Sequence, residues 1–378
     1  MSNPIYLDYN ATTPVDPEVA AVMLPYLQEH FGNPSSSHPY GRRTKAALET
    51  ARGQVAALLQ CWPEEIVFTS GGSESNNYAI KGAAFANRAR GNHIITSAVE
   101  HPAVTEVCRY LAGQGFTVTY LPVDADGRVS PEMLVAAIRP ETTLVSIMHA
   151  NNEVGAIQPI ESIASITRAR NILLHCDAAQ SVGKIPVEVP RLGVDLLSVA
   201  GHKLYAPKGV GALYIRKGIQ LEQLIHGANH ESNRRAGTEN VLLNVGLGKA
   251  CEIAGRDLKR NMAHLQVMRD RLFEGLRREA GAIRLNGHPR ERLPNTLSIG
   301  FENIEANRLI AQMPHLAVSA GAACHADAVT VSQTLAAMQV PLSAAMGTIR
   351  FSTGKYTTAE EIDAALEIIA SAVWVLRK

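Results

Sequence analysis

The sequence predicts an α/β protein: a mostly parallel sheet with helices on both faces, joined to a smaller α+β unit. Three observations carry this reading. Short apolar runs alternate with helix-patterned segments between about residues 65 and 215. Leu258, Met262, Leu265, Met268, Leu272 and Leu276 then recur at helical spacing in one long segment. Further strand-like runs follow, with a closing helix. A chain of 378 residues is long for one core. We expect a large domain over 14–255 and a small domain formed by 1–13 and 256–378.

In order, the first segment (Tyr6 to Pro14) is polar and turn-rich. It either caps a helix beginning near Asp16 and Pro17 or lines a site. GNPSSSHPYGRR (Gly32 to Arg43) reads as a loop from its Gly, Pro and Ser content, with a helix from about Thr44 to Leu59. Strands are expected at Glu65–Thr69, His93–Thr96, Thr117–Leu121, Thr143–His149, Ile172–His175, Asp195–Val199 and Val210–Ile215. Helices are expected at Glu74–Arg90, Ala103–Ala112, Pro131–Ile138 and Ile160–Arg168. The long helix starts near Thr238. Strands near Thr296–Gly300, Ala317–Ser319 and Thr348–Ser352 and a helix from Thr358 to Leu376 complete the chain. Met338 to Met346 has weak periodicity and reads as a mobile loop.

Composition excludes several classes. Apolar residues make up 46% and charged residues 19%, ordinary for a globular protein. A formal net charge of +1 offers no bulk attraction for nucleic acid or an anionic membrane. No apolar run reaches the roughly 18 residues of a membrane span, and the N-terminus lacks a signal-peptide pattern. The five cysteines are scattered, without a Cys-x-x-Cys pair, so neither a metal site nor a disulfide framework is expected. A cytoplasmic setting fits best.

In parallel α/β sheets, ligands sit beyond the carboxyl ends of the strands, and the informative residues follow the strands. SVAGHKLYAPKG places Lys203 just past one apolar run, with Ala200, Gly201 and His202 before it. ILLHCDAAQ ends another run in Asp177, with Gln180 close behind. A lysine amine and a carboxylate at strand ends are what a pyridoxal phosphate site needs: one to form a Schiff base, the other to keep the ring nitrogen protonated. A surface lysine beside a turn is the bland alternative, so the rest of the chain must decide. FTSGGSESNN puts Gly72 and Ser73 between a strand and a helix, a phosphate cradle or merely a helix cap. EHPAV places His101 at the next strand end, where an imidazole can stack on a ring and move protons. HANNEVGAIQPI brings Asn151 and Asn152 after a buried strand, to fix the loop or to hold a ligand. Gly237-Thr238 offers a second phosphate contact. Arg350 in TIRFSTGKYTT has the planar fork that suits a carboxylate. SAGAACHA surrounds Cys324 with small residues and sets His325 beside it, favouring thiolate character in a flexible, exposed stretch.

LDYNATTP, GNPSS, FTSGGSESNN, EHPAV, HANNEVGAIQPI, HCDAAQSVGK, AGHKLYAPKGVGALY, RRAGTEN, LPNTLSI and GAACH, taken together and in this order, closely resemble the cysteine desulfurases of the NifS/IscS type. These belong to the class V aminotransferase group of pyridoxal phosphate enzymes, fold type I. The resemblance covers nearly the whole chain. It implies pyridoxal 5'-phosphate as cofactor, Lys203 as its Schiff-base lysine, Asp177 as partner of the ring nitrogen, Gln180 at the ring hydroxyl and His101 on the ring face. Gly72, Ser73, Ala200, Gly201, His202 and Thr238 would surround the phosphate, Thr238 within the chain or across a dimer interface. Asn152 would contact cofactor and substrate, and Arg350 the substrate carboxylate. Cys324 would accept sulfur from L-cysteine as a persulfide, on a long mobile loop, for delivery to an acceptor protein in processes such as iron–sulfur cluster assembly. A homodimer is implied.

Three departures stand out. Ala200 replaces the usual serine, removing one hydroxyl from the phosphate site. Gly-Ser-Glu-Ser replaces Gly-Thr-Glu-Ser. The Ala-Ala-Cys-His form around Cys324 also resembles selenocysteine lyases, which stay open as an alternative. A catalytically inactive scaffold of the same fold is the non-enzyme alternative.

Overall fold

The computed structural model describes residues 4–325 and 328–378, and the side chains of all of these except 322–330. In chain order the elements are β1 (Ile5–Tyr6), α1 (Pro17–Gln28), α2 (Pro39–Leu59), β2 (Ile66–Thr69), α3 (Gly72–Ala86), β3 (His93–Ser97), α4 (Pro102–Ala112), β4 (Thr117–Leu121), α5 (Pro131–Ala137), β5 (Thr142–Ser146), α6 (Ile160–Arg168), β6 (Leu173–Asp177), α7 (Val189–Leu192), β7 (Leu196–Ala200) and β8 (Gly211–Ile215). The long α8 (Val241–Glu279) leads to β9 (Ile283–Asn286), β10 (Thr296–Phe301), α9 (Ala306–Ala311), β11 (Leu316–Ala317), β12 (Ser319–Ala320), β13 (Ala322–His325), β14 (Ala328–Val331), α10 (Gln333–Ala337), α11 (Leu342–Ala345), β15 (Thr348–Ser352) and α12 (Ala359–Arg377).

Seven strands form the large sheet in the order β2-β8-β7-β6-β5-β3-β4. Only β8 runs against the others. The sheet is buried on both faces because its side chains alternate between two cores. Ile95, Val145, Leu174 and Leu197 enter one core together with α2 and the first part of α8. Their neighbours Ile94, Leu144, Leu196 and Leu213 enter the other, with α3 and α4. The four-stranded antiparallel sheet β12-β15-β10-β9 packs its own core, in which Ile299, Phe301, Ile349 and Phe351 meet Leu272 and Leu276 of α8 and Ile362, Leu366 and Ile369 of α12. Helix α8 has 39 residues, about 58 Å at the usual rise, so its two halves serve different cores.

Local chemistry explains the helix starts nearest the strand ends. Asp16, followed by Pro17, accepts the Glu18 N–H at 2.7 Å and begins α1. His101, followed by Pro102, does the same for the Ala103 N–H at 3.1 Å and begins α4. Gly71, at φ 149°, turns the chain from β2 into α3.

One sequence expectation needs correction. Met338 to Met346 is not a loop: it contains α11, and Met338, Val340, Ala344 and Ala345 are buried against Val154 and Ala156. Helices of four or five residues are too short to display a period, which hid this small core from the pattern. Between Cys324 and Arg350 the described backbone pairs β13 with β14, Cys324 opposite Val329, and then forms α10 and α11. The side chains of Cys324 and His325 lie outside the described residues.

Candidate functional site

The carboxyl ends of β2, β3, β5, β6 and β7 share one edge of the large sheet and open onto a cavity of about 400 Å³. Gly72, Ser73, His101, Asn152, Asp177, Gln180, Ala200, His202 and Lys203 line it, with Arg350 contributed by the small sheet. At least 19 residues of sequence separate each of these clusters from the next; the parallel topology is what gathers them. A larger recess of about 770 Å³ beside Trp62, Tyr78, Arg216 and Arg234 holds none of them.

Lys203 follows β7 on a single 3₁₀ turn, which projects its amine into the cavity. Its Nζ donates to the backbone oxygens of Asn10 and of Ala11, the latter at 2.8 Å. Burial, with the Arg350 cation second, lowers its pKa to about 8, against the opposing pull of Asp8 and Asp177. A lysine so placed is a nucleophile near neutral pH.

Asp177 ends β6, 6% exposed. Its Oδ2 accepts from Asn76 Nδ2 at 2.7 Å and its Oδ1 from the Ala179 N–H at 2.9 Å. These donors fix the carboxylate without an ion pair, leaving its charge for whatever cation enters. Asn76 Oδ1 is itself buried without a partner among the described residues. That is an acceptor position a bound group can fill.

His101 stands at the exposed mouth of the cavity. Its Nδ1 accepts the Ala103 N–H, which places the neutral ring's proton on Nε2. The mass of protein packed beneath it lowers its pKa; Asp177 opposes this and Lys203 adds to it. His202 Nδ1 lies 3.1 Å from Thr12 Oγ1, and burial lowers its pKa to about 4, so it is neutral at physiological pH. Gly72 sits close against Ala200: a Cβ added to it would lie 3.2 Å from the alanine methyl. Gly201 is buried behind this contact.

Arg350, in the middle of β15, spans from the small sheet to the cavity. Its Nη1 donates to the Asn152 backbone oxygen at 3.0 Å, and its Nη2 to Asp8 Oδ1 at 2.8 Å and Ser319 Oγ at 2.9 Å. Its Nε is buried without a partner among the described residues. Asn151 does not line the cavity. It bonds Val99 and the Glu153 and Val154 N–H groups, so it fixes the loop that presents Asn152. Thr238 also stays outside, exposed beside a separate small pocket with Ser70, Arg235 and Gly237.

Several site residues escaped the sequence pattern. Asn10 is 1% exposed and ties the cavity to the small sheet, donating to Thr296 Oγ1 at 2.8 Å and Asn152 O at 3.2 Å. It lies in the polar segment Tyr6 to Pro14, expected to cap a helix or line a site; the segment lines the site through Asn10, and the cap is Asp16, just beyond it. Glu100, beside His101, is wholly buried. It accepts from Ser97 Oγ at 2.6 Å and the Met148 N–H at 2.9 Å, and burial raises its pKa to about 8. Asn76, on α3, offered no signal beyond two adjacent asparagines.

A large, mostly parallel sheet thus brings a lysine and an aspartate to adjacent strand ends, with an arginine reaching over from a small antiparallel sheet. The chain belongs to the aminotransferase class-V family, whose model matches residues 5–365. It is 47% identical over 379 residues to a protein of Dictyoglomus turgidum named "Cysteine desulfurase IscS", covering 100% of this chain and 96% of that one. Among solved structures it resembles a "NifS-like protein" with a TM-score of 0.93 and 40% identity, covering 99% of this chain and 100% of the other. A structure described as "SspA in complex with cysteine" matches with a TM-score of 0.84 and 38% identity, over 93% of this chain and 99% of that one.

Proposed function

We infer that the protein is a cysteine desulfurase that uses pyridoxal 5'-phosphate to take the sulfur from L-cysteine and release L-alanine. The observation that carries this is one cavity holding Lys203, with its lowered pKa, beside Asp177, with Arg350 across from both. The residues fit the cofactor. The cavity of about 400 Å³ suits a small aromatic phosphate, Asp177 turns its carboxyl group into it, and Asn76 Oδ1 and Arg350 Nε have no partner among the described residues.

The cofactor, when bound, supplies an aldehyde for an amine and a ring that withdraws electrons from the substrate carbon. Everything else falls to this chain. Lys203 offers the amine and, once free, a base for the substrate's α-proton. Asp177 would keep the ring nitrogen protonated, Gln180 would donate to the ring oxygen, and the His101 ring would cover the face and exchange protons. Gly72, Ser73, Gly201 and His202 would surround the phosphate; Ala200 would line its site but bring no hydroxyl. Arg350 and Asn152 orient the substrate carboxylate. Cys324, as thiolate, attacks the substrate sulfur. An S–S bond forms as the Cβ–S bond breaks, and the freed electron pair ends on a carbon that takes up a proton to become the alanine methyl.

Residues 14–255 serve as the cofactor domain, and 1–13 with 256–378 as the domain that brings Arg350 and Cys324. Thr238 does not line its own chain's cavity, and its phosphate contact is assigned to a partner subunit in a homodimer. The persulfide passes to an acceptor protein, with iron–sulfur cluster assembly as a use. Among the described residues no helix is long and apolar enough to cross a membrane; a cytoplasmic enzyme is our reading. Lys203→Ala tests the assignment: the purified variant should lack the visible absorbance that the wild type gains with pyridoxal 5'-phosphate. If the band persists, Lys203 is not the cofactor's lysine.

A further inference from the structure

Behind Gln180 lies a second lysine to which the proposed chemistry gives no task. Lys184 is 6% exposed and, among the described residues, pairs with no carboxylate. Its Nζ donates to Gln180 Oε1 at 2.8 Å and to Asn10 Oδ1 at 2.9 Å. Burying an amine without a counter-ion is costly, and the charges of Lys203 and Arg350 add to that cost, holding its pKa well below the ordinary lysine value. An apolar residue there would leave the two oxygens it touches short of a donor.

Both contacts are to amide oxygens, and that decides how the two amides are turned. With Oε1 taken by Lys184, Gln180 turns its NH₂ away from the lysine. One N–H goes to the Asn10 backbone oxygen at 3.0 Å, and the other remains for the cavity. With Oδ1 taken by Lys184 and by Asn295 Nδ2 at 3.0 Å, Asn10 must give its NH₂ to Thr296 and Asn152. The backbone oxygen of the same Asn10 is what receives the Lys203 amine. Lys184 therefore stands under the two groups that face the reacting lysine and the ring oxygen.

We propose that Lys184 is a positioning residue: by holding the side-chain oxygens of Gln180 and Asn10 it forces Gln180 to present an N–H donor, never its oxygen, to the cofactor's ring oxygen. This rests on the reading that pyridoxal 5'-phosphate occupies the cavity. Without Lys184 only the Asn10 backbone oxygen would hold the amide the right way round, and an amide turned over would set its oxygen against the ring oxygen, two acceptors facing each other. A residue that fixes a ligand from behind in this way typically changes affinity by roughly tenfold or more when removed.

The test is a double-mutant cycle on the purified protein stripped of cofactor and titrated with pyridoxal 5'-phosphate. Lys184→Met keeps the bulk and removes the donor. We expect roughly tenfold weaker binding and a transfer of part of the bound visible absorbance to the near-ultraviolet, because the anionic ring oxygen has lost its donor. Gln180→Ala should show the same, and the double variant should be no worse than the weaker single one. If Lys184→Met binds as the wild type does, or if the two losses multiply, the proposal is overturned. Gln180→Glu examines the point with Lys184 in place: it keeps the oxygens that face the lysine and lacks the N–H groups that reach the Asn10 backbone oxygen and the cavity. We expect it to lose affinity; retained affinity contradicts the proposal even if Lys184→Met does not fold. A wild type that takes up no cofactor would instead overturn the functional reading beneath it.

Discussion

Arg350 and Asp8 form an ion pair at 2.8 Å on the cavity wall, 342 residues apart in the chain. The arginine comes from the small antiparallel sheet and the aspartate from the N-terminal segment that bridges to it, where Asp8 pairs with Ser352. Ser319 donates to the same carboxylate oxygen at 2.9 Å, so the guanidinium is held in place before any substrate arrives.

A preset fork of this kind predicts a binding defect. Arg350→Lys keeps the charge and loses the paired geometry. It should raise KM for L-cysteine roughly ten- to a hundredfold, the worth of one or two charge-assisted hydrogen bonds, with a smaller effect on kcat. Steady-state kinetics check this; an unchanged KM would mean that Arg350 does not receive the carboxylate.

Lys203 should betray its environment in the pH dependence of cofactor uptake. Its pKa is lowered, so the reactive neutral amine accumulates as pH rises through about 8, whereas an exposed lysine would require a pH above 10. The rate at which the visible band forms in cofactor-free protein should therefore rise with pH and level off above about 8. Arg350→Ala removes a cation that lowers this pKa and should move that midpoint upward.

Asn76 gives Asp177 its side-chain donor. Asn76→Ala should weaken cofactor binding by roughly 1–3 kcal/mol, the usual consequence of stripping a partner from a buried charge. Asn76→Asp should be worse, since it sets a second carboxylate beside the first. Equilibrium titration with pyridoxal 5'-phosphate measures both; equal affinities for the wild type and the two variants would remove Asn76 from the account.

Glu100 makes stability depend on pH in an unusual direction. Its folded pKa is raised from the ordinary carboxyl value to about 8 by burial. Its contribution is then fully present below the unfolded pKa and is lost as pH climbs toward 8. Glu100→Gln, which cannot ionise, should gain on the wild type between pH 5 and pH 8, by an amount on the order of 3 kcal/mol. Urea unfolding of the cofactor-free forms at the two pH values reads this difference; a constant gap would show that Glu100 is ionised throughout.

The sheet was legible because buried parallel strands write themselves as apolar runs and because ligand groups follow them. Lys203, Asp177, His101 and Gly72 were found by position alone. Residues that act from behind were not. Asn76 lies mid-turn on a helix whose neighbours are equally polar, and Lys184 looks like any lysine after a glycine until its burial is known. The turn around Met338 failed for the opposite reason: its elements are shorter than the period used to detect them. Arg350 could be picked out as a carboxylate binder, but its pairing with Asp8 joins opposite ends of the chain, which no local pattern reports.

The central claim is that sulfur leaves L-cysteine through Cys324. The most direct measurement is the yield of alanine and of released sulfide from L-cysteine with a reductant, for the wild type and for Cys324→Ala, each loaded with pyridoxal 5'-phosphate, with L-selenocysteine run in parallel. The account predicts alanine and sulfide in equal amounts from the wild type, and neither from a variant that still holds its cofactor. Unchanged sulfide release by Cys324→Ala, pyruvate in place of alanine, or turnover confined to selenocysteine would contradict it.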